Sequence, residues 1–341
     1  MTGVQTCALP ILSWSELWGG TYDEKFDKYI NDQFVGRDFW ISVKSFGESL
    51  LLKKENNGII YGKDDYLFSK YDKVEDETRY EENIKYLQEF YAKYPELNHT
   101  FMLIPNSWVI ESEKLPSGAQ YVDAEGEIER IYSALPEYVQ TVDITEYFKG
   151  IDAELYYRTD HHWNTAGAYY GAKVYAESKG KKLPPLEDIP VMREVDEFFG
   201  TYFSKCKKIG IPSDTIKLYD IPVTSVEVAG EEKGSLYDES KFSTRDKYAG
   251  FLWGNNNLVR IKSENNLNKT ENTSRVLVIK DSYANSFVPF LTYLYDEVDV
   301  IDLRYFMGLE QHLKDNAYDD ILVMYNFETF TSDGNLPRLR Y

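Results

Sequence analysis

Four short apolar runs, HTFMLI (99–104), RVLVI (275–279), VDVID (298–302) and DILVMY (320–325), limit what this chain can fold into. Each is followed by a polar loop, and most by a stretch with helical spacing. A strand that faces water on one side alternates apolar and polar residues, whereas one buried on both sides reads as a continuous apolar run. The pattern therefore predicts an α/β fold with a parallel sheet covered by helices on both faces. VQTVDI (139–144) repeats the motif more weakly. In such sheets functional groups gather outside the carboxyl ends of the strands. That rule selects the loops at Asn106, Asp281–Ser282, Arg304 and Asn326, and chemistry adds TDHHWN at 159–164.

The rest of the chain divides around this core. Residues 12–54 are amphipathic and aromatic and predict two helices joined at Gly36. NNGIIYGKDDYLFSK (56–70) predicts a hairpin, and 77–94 a helix that Pro95 ends. Asn164 begins a helix of small residues (NTAGAYYGAKVYAESK) suited to close packing on a sheet. From 184 to 272 helical periodicity fades and short β-prone runs alternate with turns. This reads as a β-rich insertion between an amino-terminal half (12–183) and a carboxyl-terminal half (273–341) of one α/β domain. Residues 1–11, MTGVQTCALPI, match the translation of a sequencing adapter read from a GTG start. They are set aside from fold reasoning, and a native signal or anchor is expected to have preceded Leu12. Of the two cysteines only Cys206 then belongs to the natural chain. With 57 acidic against 38 basic residues the net charge is −19, which argues against nucleic acid as a partner.

Ser282 falls just past an apolar run at the start of a helix. There free backbone N–H groups can stabilise an oxyanion and a tight turn lifts the hydroxyl clear of the sheet. Asp281 or Ser282 would equally serve as a helix N-cap. A serine nucleophile needs a base, and the base needs a group that fixes its tautomer. Asp160 and His162, two residues apart in an extended loop, meet that need. The chain has four histidines, and two of them stand side by side here. Asn106 and Asn326 follow strands and are candidate substrate-binding or loop-stabilising amides. Arg304 would bind an anionic substrate group or pair with an acidic neighbour. His161 is expected to be structural, its ring opposite to that of His162, and Trp163 to pack in the core. Lysines beside Cys206 would lower its thiol pKa, but no histidine lies near it in sequence.

TDHHWNTAGAYYGA, VLVIKDSYANSF and VDVIDLRYF, with INDQFVGRDFW and NNGIIYGKDDYLF upstream, resemble the bacterial DHHW proteins. These are similar to the periplasmic alginate O-acetylation proteins and share the SGNH (GDSL-like) hydrolase fold. The resemblance implies O-acyl transfer or ester hydrolysis on an extracytoplasmic polysaccharide, with Ser282 as nucleophile, His162 as base and Asp160 as its orienting carboxylate. An acylated small molecule or polysaccharide is the implied substrate, a membrane acyl-shuttling protein the implied partner, and no cofactor is needed. Lys280 stands where the GDS signature has glycine, so an altered turn is expected there. Two other readings remain: a non-catalytic glycan-binding protein that keeps the fold, and a metal-dependent hydrolase using Asp160, His161 and His162. Against the latter, adjacent histidines are not expected to converge on one ion.

Overall fold

A computed structural model describes residues 36–341. The adapter-like tract and the first of the two expected lead-in helices lie outside the described residues. The second lead-in helix, Arg37–Leu50, starts directly after Gly36, whose φ of +70° favours glycine. The expected hairpin is a three-stranded antiparallel sheet, β1 (Glu55–Asn56), β2 (Ile59–Tyr61) and β3 (Leu67–Ser69). The helix Glu77–Lys93 follows, capped by the Asp76 side chain, which accepts the Arg79 N–H. It buries the stripe of Tyr80, Ile84, Leu87, Phe90 and Tyr91.

The central sheet has eight strands. β4 (His99–Ile104) and β5 (Gln140–Thr141) come from the amino-terminal half. After β6 (Val191–Phe198) and β7 (Asp214–Tyr219), which lie outside this sheet, come its strands β8 (Ser225–Val228), β9 (Glu231–Lys233) and β10 (Leu258–Lys262). β11 (Arg275–Lys280), β12 (Glu297–Ile301) and β13 (Asp320–Asn326) close the chain. The order across the sheet is β5-β4-β13-β11-β12-β10-β8-β9. The first five of these run parallel, and every residue of β4 and β13 is buried, as the unbroken apolar runs require.

The expectation of a parallel sheet needs correction, because the sheet is mixed. β10 pairs antiparallel with β12 and with β8, and β8 antiparallel with β9. β8 and β9 are joined by Ala229–Gly230, both at positive φ, a two-residue hairpin turn. So short a connection can return only antiparallel, since a parallel neighbour needs a long crossover. β6 and β7 form a separate two-stranded ribbon.

Two helices set the geometry near the sheet's carboxyl edge. Thr165–Ser178 begins at Asn164, whose side chain accepts the Gly167 N–H at 3.0 Å. Its glycines permit close approach: a Cβ on Gly171 would stand 2.9 Å from the Trp163 ring. Ala284–Leu291 follows Ser282, and all eight of its residues are buried, as expected for a helix apolar on every side. Among the described residues, no helix is long and apolar enough to cross a membrane.

Candidate active site

Ser282 stands on the turn that leaves β11. Asp281, buried beside it, fixes that turn with both carboxylate oxygens: Oδ1 accepts the Tyr283 N–H at 2.9 Å and Oδ2 the Asn326 N–H at 2.8 Å. The second bond ties the serine loop to the end of β13. Asp281 and Ser282 therefore do not cap the helix through their side chains. The cap position is Tyr283, with no side-chain bond.

The TDHHWN loop is held against this turn by its tryptophan. Trp163 is fully buried, and its Nε1–H donates to the Tyr283 carbonyl and to Ser286 Oγ, each at 3.0 Å. On the other side Asp214, on β7, accepts the N–H groups of Arg158 and Thr159 and the Thr159 hydroxyl. The loop is thus clamped between the sheet's carboxyl edge and the β6–β7 ribbon. Within it Asp160 Oδ1 accepts the His162 backbone N–H at 3.1 Å, an Asx-type turn that brings residues i and i+2 to one side.

The result is a continuous hydrogen-bonded chain. His162 Nδ1 lies 2.6 Å from Asp160 Oδ1, and His162 Nε2 lies 2.8 Å from Ser282 Oγ. An ionised carboxylate only accepts, so the Nδ1 proton faces Asp160 and the neutral ring leaves Nε2 free to accept from the hydroxyl. Burial opposes the charge on Asp160, yet His161, His162 and the Thr201 N–H (2.7 Å from Oδ2) hold its carboxyl well below the ordinary range. The Tyr248 ring stacks on His162 with centroids 3.7 Å apart and planes 10° from parallel, which fixes the imidazole's plane. Tyr248 OH is itself within 3.0 Å of Ser286 Oγ.

Gly200 completes the seat of Asp160. A Cβ there would stand 2.2 Å from Asp160 Cβ and 2.3 Å from Oδ2. Its φ of −80° suits any residue, so only the close approach demands glycine. Gly200→Ala is expected to push the carboxylate off His162 and lower turnover by about 10²-fold, since misplacement near 1 Å costs that much. Steady-state kinetics beside a circular dichroism spectrum would check that the loss occurs in a folded protein.

The other sequence-derived candidates fall in three places. Asn106 and Asn326 are not brought to Ser282. They line a neighbouring cavity of about 300 Å³ with Glu328, Thr201 and His161. Their amides are spent there, Asn106 Nδ2 on Asn326 Oδ1 and Glu328 Oε2, and Asn326 Nδ2 on the Ile104 carbonyl. Arg304 reaches the cleft of Ser282 but grips Asp302 with two bonds, Nε–Oδ1 at 2.9 Å and Nη2–Oδ2 at 2.6 Å. His161 does not turn away from His162. The two rings lie side by side, centroids 3.7 Å apart, because His161 Nδ1 bonds Thr201 Oγ1 at 2.7 Å. Burial and the neighbouring His162 push the His161 pKa down to about 4.

Two further expectations change. The Lys280 side chain is buried and points to Asp302, Asn255 and Asn285. Burial pushes its pKa down to about 8, against the pull of Asp302. The Cys206 thiol is pushed up by burial, which outweighs the adjacent lysines. The donor atoms of Asp160, His161 and His162 do converge, within 4.8 Å of one another. Both His162 nitrogens are already engaged, however, so an ion there would have to displace the Asp160 or the Ser282 contact.

Ser282 opens into a polar cleft of about 640 Å³ whose wall includes Lys241, Asp246, Tyr248, Asn255 and Arg304. Sequence reasoning missed Tyr248, Thr201, Gly200 and Asn255, all from the segment between residues 184 and 272. Asn285 was the one missed residue with a local signal, standing one helical turn after the serine.

A family model described as "DHHW protein" matches residues 119–301, more than half of the chain and the whole span from Asp160 to Ser282. The chain belongs to the DHHW protein family. A DHHW family protein from Eubacterium siraeum shares its fold, with a TM-score of 0.71 and 24% identity over 84% of this chain and 96% of that one. Bacillus cereus PatB1 is similar at a TM-score of 0.67 and 22% identity, covering 81% and 97% of the two chains. PatB1 has also been solved with a sulfonyl adduct. The O-acetyltransferase domain of Pseudomonas putida AlgJ is a more distant neighbour, with a TM-score of 0.50 and 13% identity over 81% and 93%. At these identities the likeness of this DHHW protein to the solved structures is one of fold. No match is found among curated proteins.

Proposed function

We propose that this DHHW protein is an extracytoplasmic serine acyltransferase or acetylesterase that moves short acyl groups on or off the hydroxyls of a cell-surface polysaccharide. The observation that carries the reading is the unbroken bond chain Asp160–His162–Ser282, ending on a hydroxyl that faces the cleft. In the proposed first step Ser282 Oγ attacks an acyl carbonyl while His162 Nε2 takes its proton. The tetrahedral intermediate expels the donor's alcohol, which leaves with that proton, and an acyl-enzyme remains. A sugar hydroxyl, or water, then attacks the acyl carbonyl as His162 takes its proton, the acyl–Oγ bond breaks, and Ser282 Oγ takes that proton back from His162. Asp160 stays ionised and stabilises the imidazolium in both halves of the cycle.

The polar cleft wall supports a carbohydrate, since sugar hydroxyls need many donors and acceptors at once and the rim offers Lys241, Asp246, Asn255 and Arg304. The fold shared with an O-acetyltransferase domain supports acyl chemistry in general. The test is to incubate the protein with an acetyl ester and cell-wall or capsular oligosaccharides, and to follow free acetate and acetylated sugar by mass spectrometry. The expected result is acetyl appearing on sugar hydroxyls, or leaving an acetylated glycan, in a manner dependent on Ser282. No acyl movement with any ester or acetylated glycan would overturn it.

A further inference from the structure

The lead-in helix Arg37–Leu50 presents its apolar face to water. Phe39, Val43, Phe46 and Leu50 recur at i, i+4, i+7 and i+11, so they form a single stripe. All four are exposed, by 44–69%. The inward side is polar instead: Ser45 is buried, with its hydroxyl 3.1 Å from Tyr61 OH. A surface helix ordinarily buries the apolar stripe and leaves the polar side in water. Trp40 is exposed beside the stripe, and Leu51 and Leu52 extend it past the helix end, Leu52 being 86% exposed. Scattered apolar residues on a surface need no explanation, but a continuous set of this kind marks an interaction site.

Cations gather at the end of that stripe. A cavity of about 460 Å³ is lined by Leu52 together with Lys53, Lys54, Lys63 and Lys208 and, among the described residues, by no acidic side chain. Lys53 also reaches Glu48 at 3.2 Å, and Lys208 Nζ stands 4.8 Å from the centre of the Tyr61 ring. Ile209, next in the chain, is exposed as well. With a net charge of −19 the chain as a whole is repelled by an anionic membrane, so binding to one requires a face where cations are gathered. An apolar stripe that carries aromatic rings and is flanked by lysines is the pattern of a helix lying in a lipid–water interface. Its apolar side enters the acyl boundary while the ammonium groups stay among anionic headgroups.

We propose that this face docks the protein on an anionic lipid bilayer, with the stripe of Arg37–Leu50 and Leu51–Leu52 at the acyl boundary and the four lysines on lipid phosphates. The proposal does not depend on the reaction assigned to Ser282. A short path joins the face to the catalytic loop. Lys207 Nζ pairs with Asp38 at 2.9 Å, and the Asn56 and Asn57 side-chain amides donate to the carbonyls of Cys206 and Lys205 at 3.2 and 2.9 Å. Those partners stand at the end of the helix Thr201–Cys206, whose first N–H binds Asp160. A helix of six residues spans about 9 Å, so docking holds the Ser282 cleft close to the lipid surface.

The test is co-sedimentation with vesicles, comparing equal parts of phosphatidylglycerol and phosphatidylcholine with phosphatidylcholine alone. Wild type is expected to bind the anionic vesicles at least about tenfold more tightly than the neutral ones. F39S/F46S/L52S removes apolar contacts, and K53E/K54E reverses charge at the cavity. Each variant is expected to bind the anionic vesicles at least about tenfold more weakly than wild type. Their thermal transitions should be unchanged, because all five substituted side chains are exposed. Wild type left in the supernatant with both vesicles, or either folded variant binding within about threefold of wild type, would overturn the inference. A face that instead pairs two copies of the chain would give a wild-type dimer in sedimentation velocity that F39S/F46S/L52S abolishes, with no binding to vesicles, and would also overturn it.

Discussion

Ser282→Ala is expected to lower acyl turnover by at least about 10³-fold while leaving the fold intact. The size follows from the role proposed for the hydroxyl. With it gone no acyl-enzyme forms, and only a water in place of the hydroxyl, activated by His162, remains to attack the ester. The fold should tolerate the change because, among the described residues, Ser282 Oγ bonds only His162 and the turn is fixed by Asp281 and Asn326. The variant should therefore show a near-normal thermal transition and a collapsed kcat. Turnover close to wild type would mean that ester cleavage uses another group.

Asp160→Asn is expected to cost about 10⁴-fold in kcat, the scale of losing the orienting carboxylate of such a site. In the native protein both Asp160 oxygens accept: Oδ1 from the His162 ring and backbone, and Oδ2 from the Thr201 N–H. An amide can put oxygen on only one side. If its NH₂ faces the ring, the His162 backbone N–H loses its acceptor, and the imidazole must accept at Nδ1 and carry its proton on Nε2, where it can no longer take one from Ser282. If the NH₂ faces Thr201, two N–H donors oppose each other in a buried place, which costs about 1–3 kcal/mol. The account thus predicts either a folded enzyme with the wrong tautomer or a less stable one, and nitrogen-detected NMR of the His162 ring would tell which. Kinetics within about tenfold of wild type would remove Asp160 from the mechanism.

The sequence carried the parts of this site that depend on local pattern. Uninterrupted apolar runs mark strands buried on both faces, and their carboxyl ends delivered Ser282 and the turn that presents it. The DxH spacing was enough to pair Asp160 with His162, because a two-residue separation closes through a local turn. What could not be read from sequence depends on chain segments far apart. Tyr248, stacked on His162, is one of 29 tyrosines, and nothing local distinguishes it. Gly200 and Thr201 matter only because the segment after β6 passes over Asp160. The antiparallel half of the sheet escaped notice for a similar reason, since β8 and β10 are short strands whose partners are set by tertiary packing. Lys280 is instructive in another way. Its place beside the serine turn says nothing of its side chain, which runs back into the protein as the buried hub of Asn255, Asn285 and Asp302. His161 and Asn106 show the converse limit, for residue type suggested roles that their hydrogen bonds assign elsewhere.

The central claim is that an acyl group passes through the Ser282 oxygen. It is tested most directly by quenching wild-type protein in acid during turnover of an acetyl ester, then sequencing its peptides by mass spectrometry. The account predicts one acetyl group on the peptide that contains Ser282, assigned to that residue and absent from the Ser282→Ala protein. Ester turnover that continues with Ser282 unmodified, or an acetyl group carried on a different side chain, would contradict it.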